Sequence, residues 1–241
     1  MTSILAIETS TPACSVALVV GDAKFSRYSE QPRSHTRLIM GMIDEVLREA
    51  GIGVESLDAI AVTVGPGSFT GLRIGFSTAQ GLGFGADIPL IPVSTLQVMA
   101  QTYRRKYAAD LGTSHIVMPV LDARMGEFNC AAYQLDDSGY FTATIEDQLL
   151  SKSNALALCA SLKPNSIIGE AGALFDDLGP NSPDIDRKSL QELYPDAVDL
   201  VEIALADFAR GTAVPFDQVD LVYLRGTDAW KKHTPLRAIK N

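Results

Sequence analysis

The run from Ala61 to Gly85, AVTVGPGSFTGLRIGFSTAQGLGFG, constrains the fold more than any other part of the chain. It reads as an apolar strand, a glycine-proline-glycine turn and a helix built largely from small residues. Gly71, Gly75, Ala79 and Gly83 recur every four residues, so on a helix they form one smooth stripe. Each glycine costs a helix about 1 kcal/mol against alanine, a loss tolerated only where close packing or ligand approach offsets it. Backbone in this region must come very close to something.

Upstream, Ile4 to Ile7 and Ser15 to Val20 read as two strands joined by the turn-prone Ser10-Thr11-Pro12-Ala13, with a third strand at Lys24 to Ser29. Ser34 is placed as the N-cap of a helix from Thr36 to Ala50 that stops at Gly51. Leu57 to Val64 enters the glycine turn, and the small-residue helix runs from Thr70 to Phe84. Near Met118 the opening pattern begins again. MPVLDARMGEFNCAAYQLDDSG has an apolar strand ending in an acid, a turn and a second strand, and superposing the two hairpins puts Asp122 on Glu8 and Arg124 on Ser10. The repeat predicts an α/β protein of two similar lobes facing across a cleft, each a mixed sheet flanked by helices. The boundary is placed so that residues 1–105 form the first lobe and 106–241 the second, with the last helix able to pack back on the first. Helices are expected at Asn154 to Leu162 and Asp196 to Arg210, and strands at Ser166 to Gly169 and Leu221 to Leu224.

With 46% apolar residues in 241, the chain has ample material for a buried core. A net charge of −9 argues against a protein that grips nucleic acid unaided, because phosphate binding needs clustered Lys and Arg. The charge is uneven: from Arg225 onward, Arg225, Lys231, Lys232, Arg237 and Lys240 face one acid, Asp228. That tail is either a solvated terminus or a phosphate contact. Cys14, Cys130 and Cys159 are odd in number and widely spaced, which indicates neither a disulfide framework nor a zinc site. The opening MTSILAIETS lacks a basic leader, and no run has the length of a membrane span, so a cytoplasmic protein is expected.

Two helices carry more apolar surface than one core face needs. The first spreads Leu38, Met42, Val46, Ile39, Ala50, Ile43, Leu47 and Met40 over an arc of roughly 200°, where a stripe of about 100° serves an ordinary surface helix. The second leaves only Arg73, Ser77 and Gln80 as a clear polar strip. Either each helix is sandwiched within its own lobe, or the pair forms a patch that a partner covers.

Glu8 at a strand end, followed by Thr9 and Ser10, is a pattern that presents hydroxyls and amides to phosphate and a carboxylate to metal-bound water. The Gly65 to Gly67 turn adds a possible second cradle at a helix start. A P-loop is excluded, since Leu72 and Arg73 follow Gly71 where Lys and Ser or Thr are required. His35, His115 and His233 lack metal-ligand spacing, and Ser68 and Thr70 have no neighbouring base, so cap and turn roles suffice for them. An ATPase or small-molecule kinase would have to work with Glu8, Thr9, Ser10, Gly65, Gly67 and Asp122.

Taken together, IETS at Ile7 to Ser10, VGPGSFTGLRIG at Val64 to Gly75, VSTL at Val93 to Leu96, LDARMGEF at Leu121 to Phe128 and YLR at Tyr223 to Arg225 resemble the bacterial TsaB family, also called YeaZ. The resemblance implies an ASKHA fold, two RNase H-like lobes related to actin and sugar kinases. It implies a role in placing threonylcarbamoyl on the adenosine beside the anticodon of tRNAs that read codons beginning with A. In that system the transferase is a paralogue, TsaD, which takes the group from its adenylate, and a small ATPase, TsaE, joins the pair. The paralogue's metal motif aligns with Val93 to Met99, so that Thr95 and Met99 stand where two histidines would be. A hydroxyl and a thioether do not replace two imidazoles, which implies a noncatalytic subunit with no cofactor of its own, ATP and magnesium belonging to the partner or the complex. The resemblance further implies a homodimer when alone, tRNA met only through the complex, and no membrane. The partner face it implies, on the first two helices, draws on Met40, Ile43, Leu47, Gly71, Gly75, Phe76 and Ala79, and Glu8, Thr9, Ser10, Gly65, Gly67 and Asp122 become a vestigial nucleotide cleft. A peptidase reading, sometimes attached to this superfamily, lacks both the metal pair and a serine machinery.

Overall fold

The computed structural model describes residues 1–31, 33–107, 111–172, 174 and 193–225. Two mixed sheets organise them. The first has the order β3-β2-β1-β4-β5, built from β1 (Ser3–Glu8), β2 (Cys14–Val20), β3 (Ala23–Ser29), β4 (Ala59–Gly65) and β5 (Leu90–Ser94). The second has the order β8-β7-β6-β9, from β6 (Ile116–Arg124), β7 (Glu127–Leu135), β8 (Phe141–Ser151) and β9 (Ser166–Gly169). In each, the leading strand pairs antiparallel with its hairpin partner and parallel with a later strand: β1 with β2 and β4, β6 with β7 and β9. The repeated hairpin is therefore a repeated sheet topology, the RNase H-like arrangement expected of an ASKHA fold.

β1 and β4 are buried along their whole length because both faces of the first sheet are covered, which is why they read as continuous apolar runs rather than alternations. On one face lie α1 (His35–Ala50) and α2 (Phe69–Ala86), whose Ile39, Ile43, Val46, Leu47 and Ala79 join Leu5, Ile7, Val16, Leu18 and Ile60. On the other lies α5 (Ala197–Ala209), a helix that follows the second sheet in sequence but packs Leu200, Val201, Ile203 and Ala204 against Ile4, Ala6, Ala17 and Val19 of the first. Burying one such Leu, Val or Ile side chain is worth about 1.5–3 kcal/mol. Between the sheets runs α3 (Thr95–Tyr107), which contacts strands of both. α4 (Lys152–Leu162) covers the second sheet with Ala155 and Cys159.

The start of α5 is fixed electrostatically. Asp196 caps it by accepting from the Val198 amide, and Arg105 of α3 donates to Asp196 and to both oxygens of Asp199 at 2.7–2.8 Å. Asp199 also accepts from Thr102 at 2.8 Å, and burial raises its pKa although the Arg105 guanidinium opposes the shift. Acids in the first turn complement the helix dipole as well as the arginine.

Ser34 is the N-cap of α1, as expected, its carbonyl accepting from the Arg37 and Leu38 amides at 2.9 and 3.0 Å, although its hydroxyl donates to Gln31 O at 2.5 Å instead of accepting from a first-turn amide. One local expectation is corrected. Leu221 to Leu224 is not a strand. β4 already has β1 and β5 on its two edges, so the passing segment finds one free acceptor, Val64 O, which takes a hydrogen bond from the Val222 amide at 2.8 Å.

Candidate functional site

The acid at the end of β1 is turned inward. Glu8 is fully buried; its Oε1 accepts from the Ser10 amide at 2.6 Å and the Ser10 hydroxyl at 2.5 Å. Glu8 Oε2 and the Thr63 hydroxyl are buried together, the hydroxyl helping to hold the carboxylate, and neither has another hydrogen-bond partner among the described residues. Desolvation lifts the carboxyl from 4.5 to about 7, against the lowering effect of the Ser10 hydrogen bonds. The neighbouring hydroxyl is also engaged, with Thr9 Oγ1 donating to Gly71 O at 2.8 Å.

The glycine turn closes on this strand end. The Ser68 amide donates to Ser10 O at 2.7 Å, and Ser68 caps α2 by accepting from the Gly71 amide at 3.3 Å. A methyl group on Gly67 would overlap Ser10 O, one on Gly71 would overlap Thr9 O, and one on Gly75 would overlap Thr9 Oγ1. Gly65, at φ +129°, is covered by Val222 O, 2.5 Å from where a β-carbon would stand. The Thr9 and Ser10 hydroxyls, the Ser10 and Ser68 amides and the turn are thus paired with neighbouring groups of the chain. A phosphate in this turn would have to displace the Ser10 and Val222 carbonyls that close on it, so the described residues, as arranged, do not fit a magnesium-nucleotide.

Asp122, the counterpart of Glu8, stands apart in character. It is half-buried, its Oδ1 accepts from the Arg124 amide at 2.7 Å, its Oδ2 pairs with the Arg124 guanidinium at 3.1 Å, and its own amide donates to Glu170 at 3.0 Å. The amide of residue i+2 returning to the acid is common to both hairpins, which supports the superposition made from sequence. Among the described residues no three acidic, histidine or cysteine side chains converge as a metal site.

At the head of α3, Thr95 and Met99 are fully buried. Met99 belongs to the core with Leu96, Ala100, Val117 and Leu121, and its methyl lies against Gly169. Hydrocarbon fills the Met99 position, and the Thr95 hydroxyl is buried with no hydrogen-bond partner among the described residues. The three cysteines are free and buried, and His35 uses Nε2 on the carbonyls of Thr11 and Ala13, as a helix-start residue would.

The expected partner face needs correction. Ile43, Leu47, Gly71, Gly75 and Ala79 are buried in the chain's own core, and Phe76 is half-buried against it. The smooth stripe of α2 faces the chain's own core: at Gly71 and Gly75 only hydrogen atoms fit between the helix and Thr9, and at Gly83 the space is filled by Ile88 O and Phe216. Met40 alone of the chosen set is well exposed, at 54%. The open side of the two helices instead presents Gly41, Ser77, Gly81 and Gly85 with Phe84, which is 74% exposed; added β-carbons on those three glycines would meet nothing. Ser77, Gly81 and Gly85 form a second four-residue repeat, a signal that sequence reading could have caught. Arg225 was read as tail. It donates to Ala123 O and Arg124 O at 3.1 and 3.2 Å and pairs with Glu127, while Lys231, Lys232, Arg237 and Lys240 lie outside the described residues.

Residues 29–170 match the family model TsaD, tRNA N6-adenosine threonylcarbamoyltransferase. The chain is 38% identical over 230 residues to the tRNA threonylcarbamoyladenosine biosynthesis protein TsaB of Escherichia coli (strain K12), covering 95% of this chain and 97% of that one. It is 34% identical to the TsaB of Haemophilus influenzae (strain ATCC 51907 / DSM 11121 / KW20 / Rd) over 95% of this chain and 96% of the other. By contrast, its likeness to a threonylcarbamoyltransferase of Symbiobacterium thermophilum, 38% identical, spans 39% of this chain and only 33% of that enzyme. A solved structure, YeaZ from Pseudomonas aeruginosa, superposes with a TM-score of 0.77 at 31% identity over 93% of this chain and all of that one. The full-length likeness is to the biosynthesis proteins and the partial one to the transferase. The chain belongs to the TsaB (YeaZ) family of tRNA threonylcarbamoyladenosine biosynthesis proteins.

Proposed function

We propose that this chain is the noncatalytic partner of a TsaD-like transferase, and that it activates threonylcarbamoyl transfer to tRNA by docking through the open face of α1 and α2. The observation that carries the reading is that face: Met40 and Phe84 stand exposed beside Gly41, Gly81 and Gly85, which leave room for another helix pair at short range. A second copy would use the same face when the chain is alone, as symmetric pairs do. The TsaE-like ATPase joins the assembled complex, tRNA is met through it, and the complex is cytoplasmic. Buried Thr95 and Met99, and a Glu8 sealed from solvent, support a subunit that supplies surface rather than chemistry. Activation requires that the chain bind the transferase's competent conformation more tightly than its others.

The test is reconstitution of threonylcarbamoyl transfer with the TsaD-like paralogue, its ATPase and tRNA. The expected result is no transfer by the chain alone, and a rate that rises on its addition. Phe84→Asp and Met40→Asp should abolish both the complex and the stimulation while leaving the fold intact. Turnover of ATP or transfer by the isolated chain would overturn the reading, as would full stimulation by both charged variants.

A further inference from the structure

Residues 219–225 touch both sheets although they belong to neither. At one end, Val219 is buried in the core beneath α1 and α2, the Val222 amide is held by Val64 O, and Val222 O closes over Gly65. The Tyr223 hydroxyl accepts from Arg73 Nε at 3.1 Å; its ring lies 5.8 Å from that of Phe69, over which the Arg73 guanidinium stacks at 3.8 Å. At the other end, Arg225 gathers Ala123 O, Arg124 O and the Glu127 carboxylate of the β6–β7 turn. Arg124 and Met125 there have φ of +68° and +61°, a tight left-handed turn whose outward carbonyls need a donor. Between the two ends, Val222 and Leu224 line a cavity of about 350 Å³ together with Ser94 of the first sheet and Tyr133 and Asp147 of the second.

We propose that residues 219–225 are a strap that holds the two sheets in one relative arrangement without any ligand. α3 already packs between the sheets, and Ser94 at its head donates to Asp147 at 2.5 Å. These contacts centre on α3 and the end of β5, and a single seam of that kind leaves a hinge. A second, anchored at the carboxyl end of β4 and at the β6–β7 turn, removes it. The guanidinium is suited to the far anchor because its planar fork serves two carbonyls and a carboxylate at once. The strap occupies the mouth of the Gly65 turn, so the chain itself fills the place where a bound group would bridge two facing halves.

Hydrogen exchange followed by mass spectrometry on the full chain tests this. Arg225→Ala should speed exchange at least fivefold in two separate segments, 64–72 and 121–128, and leave the β1–β2 hairpin unchanged. Tyr223→Ala, which loosens the opposite anchor, should accelerate the same two segments, and Arg225→Lys should restore protection in part. Spin labels at Asp22→Cys and Asp137→Cys, both exposed positions in a chain whose native cysteines are buried, then read the sheet-to-sheet distance. A distribution broadened by Arg225→Ala supports the strap even if that variant is less stable. Exchange that rises in one segment alone, or a distance distribution unchanged by the substitution, would overturn it.

Discussion

α2 carries two rows of small residues, and they have opposite consequences. The inner row, Gly71, Gly75, Ala79 and Gly83, is closed: β1 and its Thr9 occupy the space that side chains would need, and Gly83 meets Ile88 O and Phe216 at 2.9 Å from an added β-carbon. The outer row, Ser77, Gly81 and Gly85, is open, with nothing near an added β-carbon on either glycine. Every glycine in either row forfeits about 1 kcal/mol of helix propensity. Only the inner row recovers it within the molecule, by letting a helix and a strand end approach to backbone contact. Small residues mark close approach, therefore, and their surroundings decide whether the approach is to the chain itself or to something outside it.

The sharpest way to break this comparison is to add volume to the inner row. Gly71→Val should lower unfolding stability by about 3 kcal/mol, because the neighbour is the Thr9 carbonyl and cannot rotate away; chemical denaturation giving less than 1 kcal/mol would mean that the row is not tightly closed. Next in size is the acid under that row. The folded pKa of Glu8 is raised above its usual 4.5 to about 7. The folded state therefore holds a proton that the unfolded chain releases, and this contribution is complete below about pH 4.5 and lost as pH rises through 7. Glu8→Gln keeps the acceptor for Ser10, so it should stabilise the protein by about 2 kcal/mol at pH 8 and by nearly nothing at pH 4.5. Denaturation curves at both pH values decide this, and an equal effect at each would show that Glu8 is not the titrating group. The smallest effect belongs to the outer row, where Gly81→Ala should stabilise by up to about 1 kcal/mol through propensity alone. A loss of stability there would place an unrecognised neighbour on the open face.

The repeated sheet was legible because a hairpin leaves a strong local mark, two apolar strands around a turn with an acid at the first strand's end, and because that mark occurs twice. The direction of the glycine stripe was not. A four-residue period reports a helix face and says nothing about which neighbour it meets, so Gly71, Gly75 and Ala79, expected on a partner face, belong to the chain's own first-sheet core. The polarity of Glu8, Thr9 and Ser10 suggests a phosphate-binding cleft; their burial depends on α2 and the turn before it, some 60 residues later in the chain. Ile43 and Leu47 were likewise indistinguishable from Met40 on a wide apolar arc, since periodicity cannot tell the middle of an arc from its edge. Arg225 was read by its charge, as part of a basic tail, although its partners are two carbonyls and a carboxylate some 100 residues earlier.

The packing of α5 on the first sheet has a consequence for synthesis. At about 5–20 residues per second, the ribosome releases β1 roughly 10–40 s before the helix that covers its second face. During that interval Ile4, Ala6, Ala17 and Val19 wait without their partners Leu200, Val201 and Ile203. The early half of the nascent chain exposes apolar surface of the kind chaperones bind, and it completes its native core only once α5 has emerged.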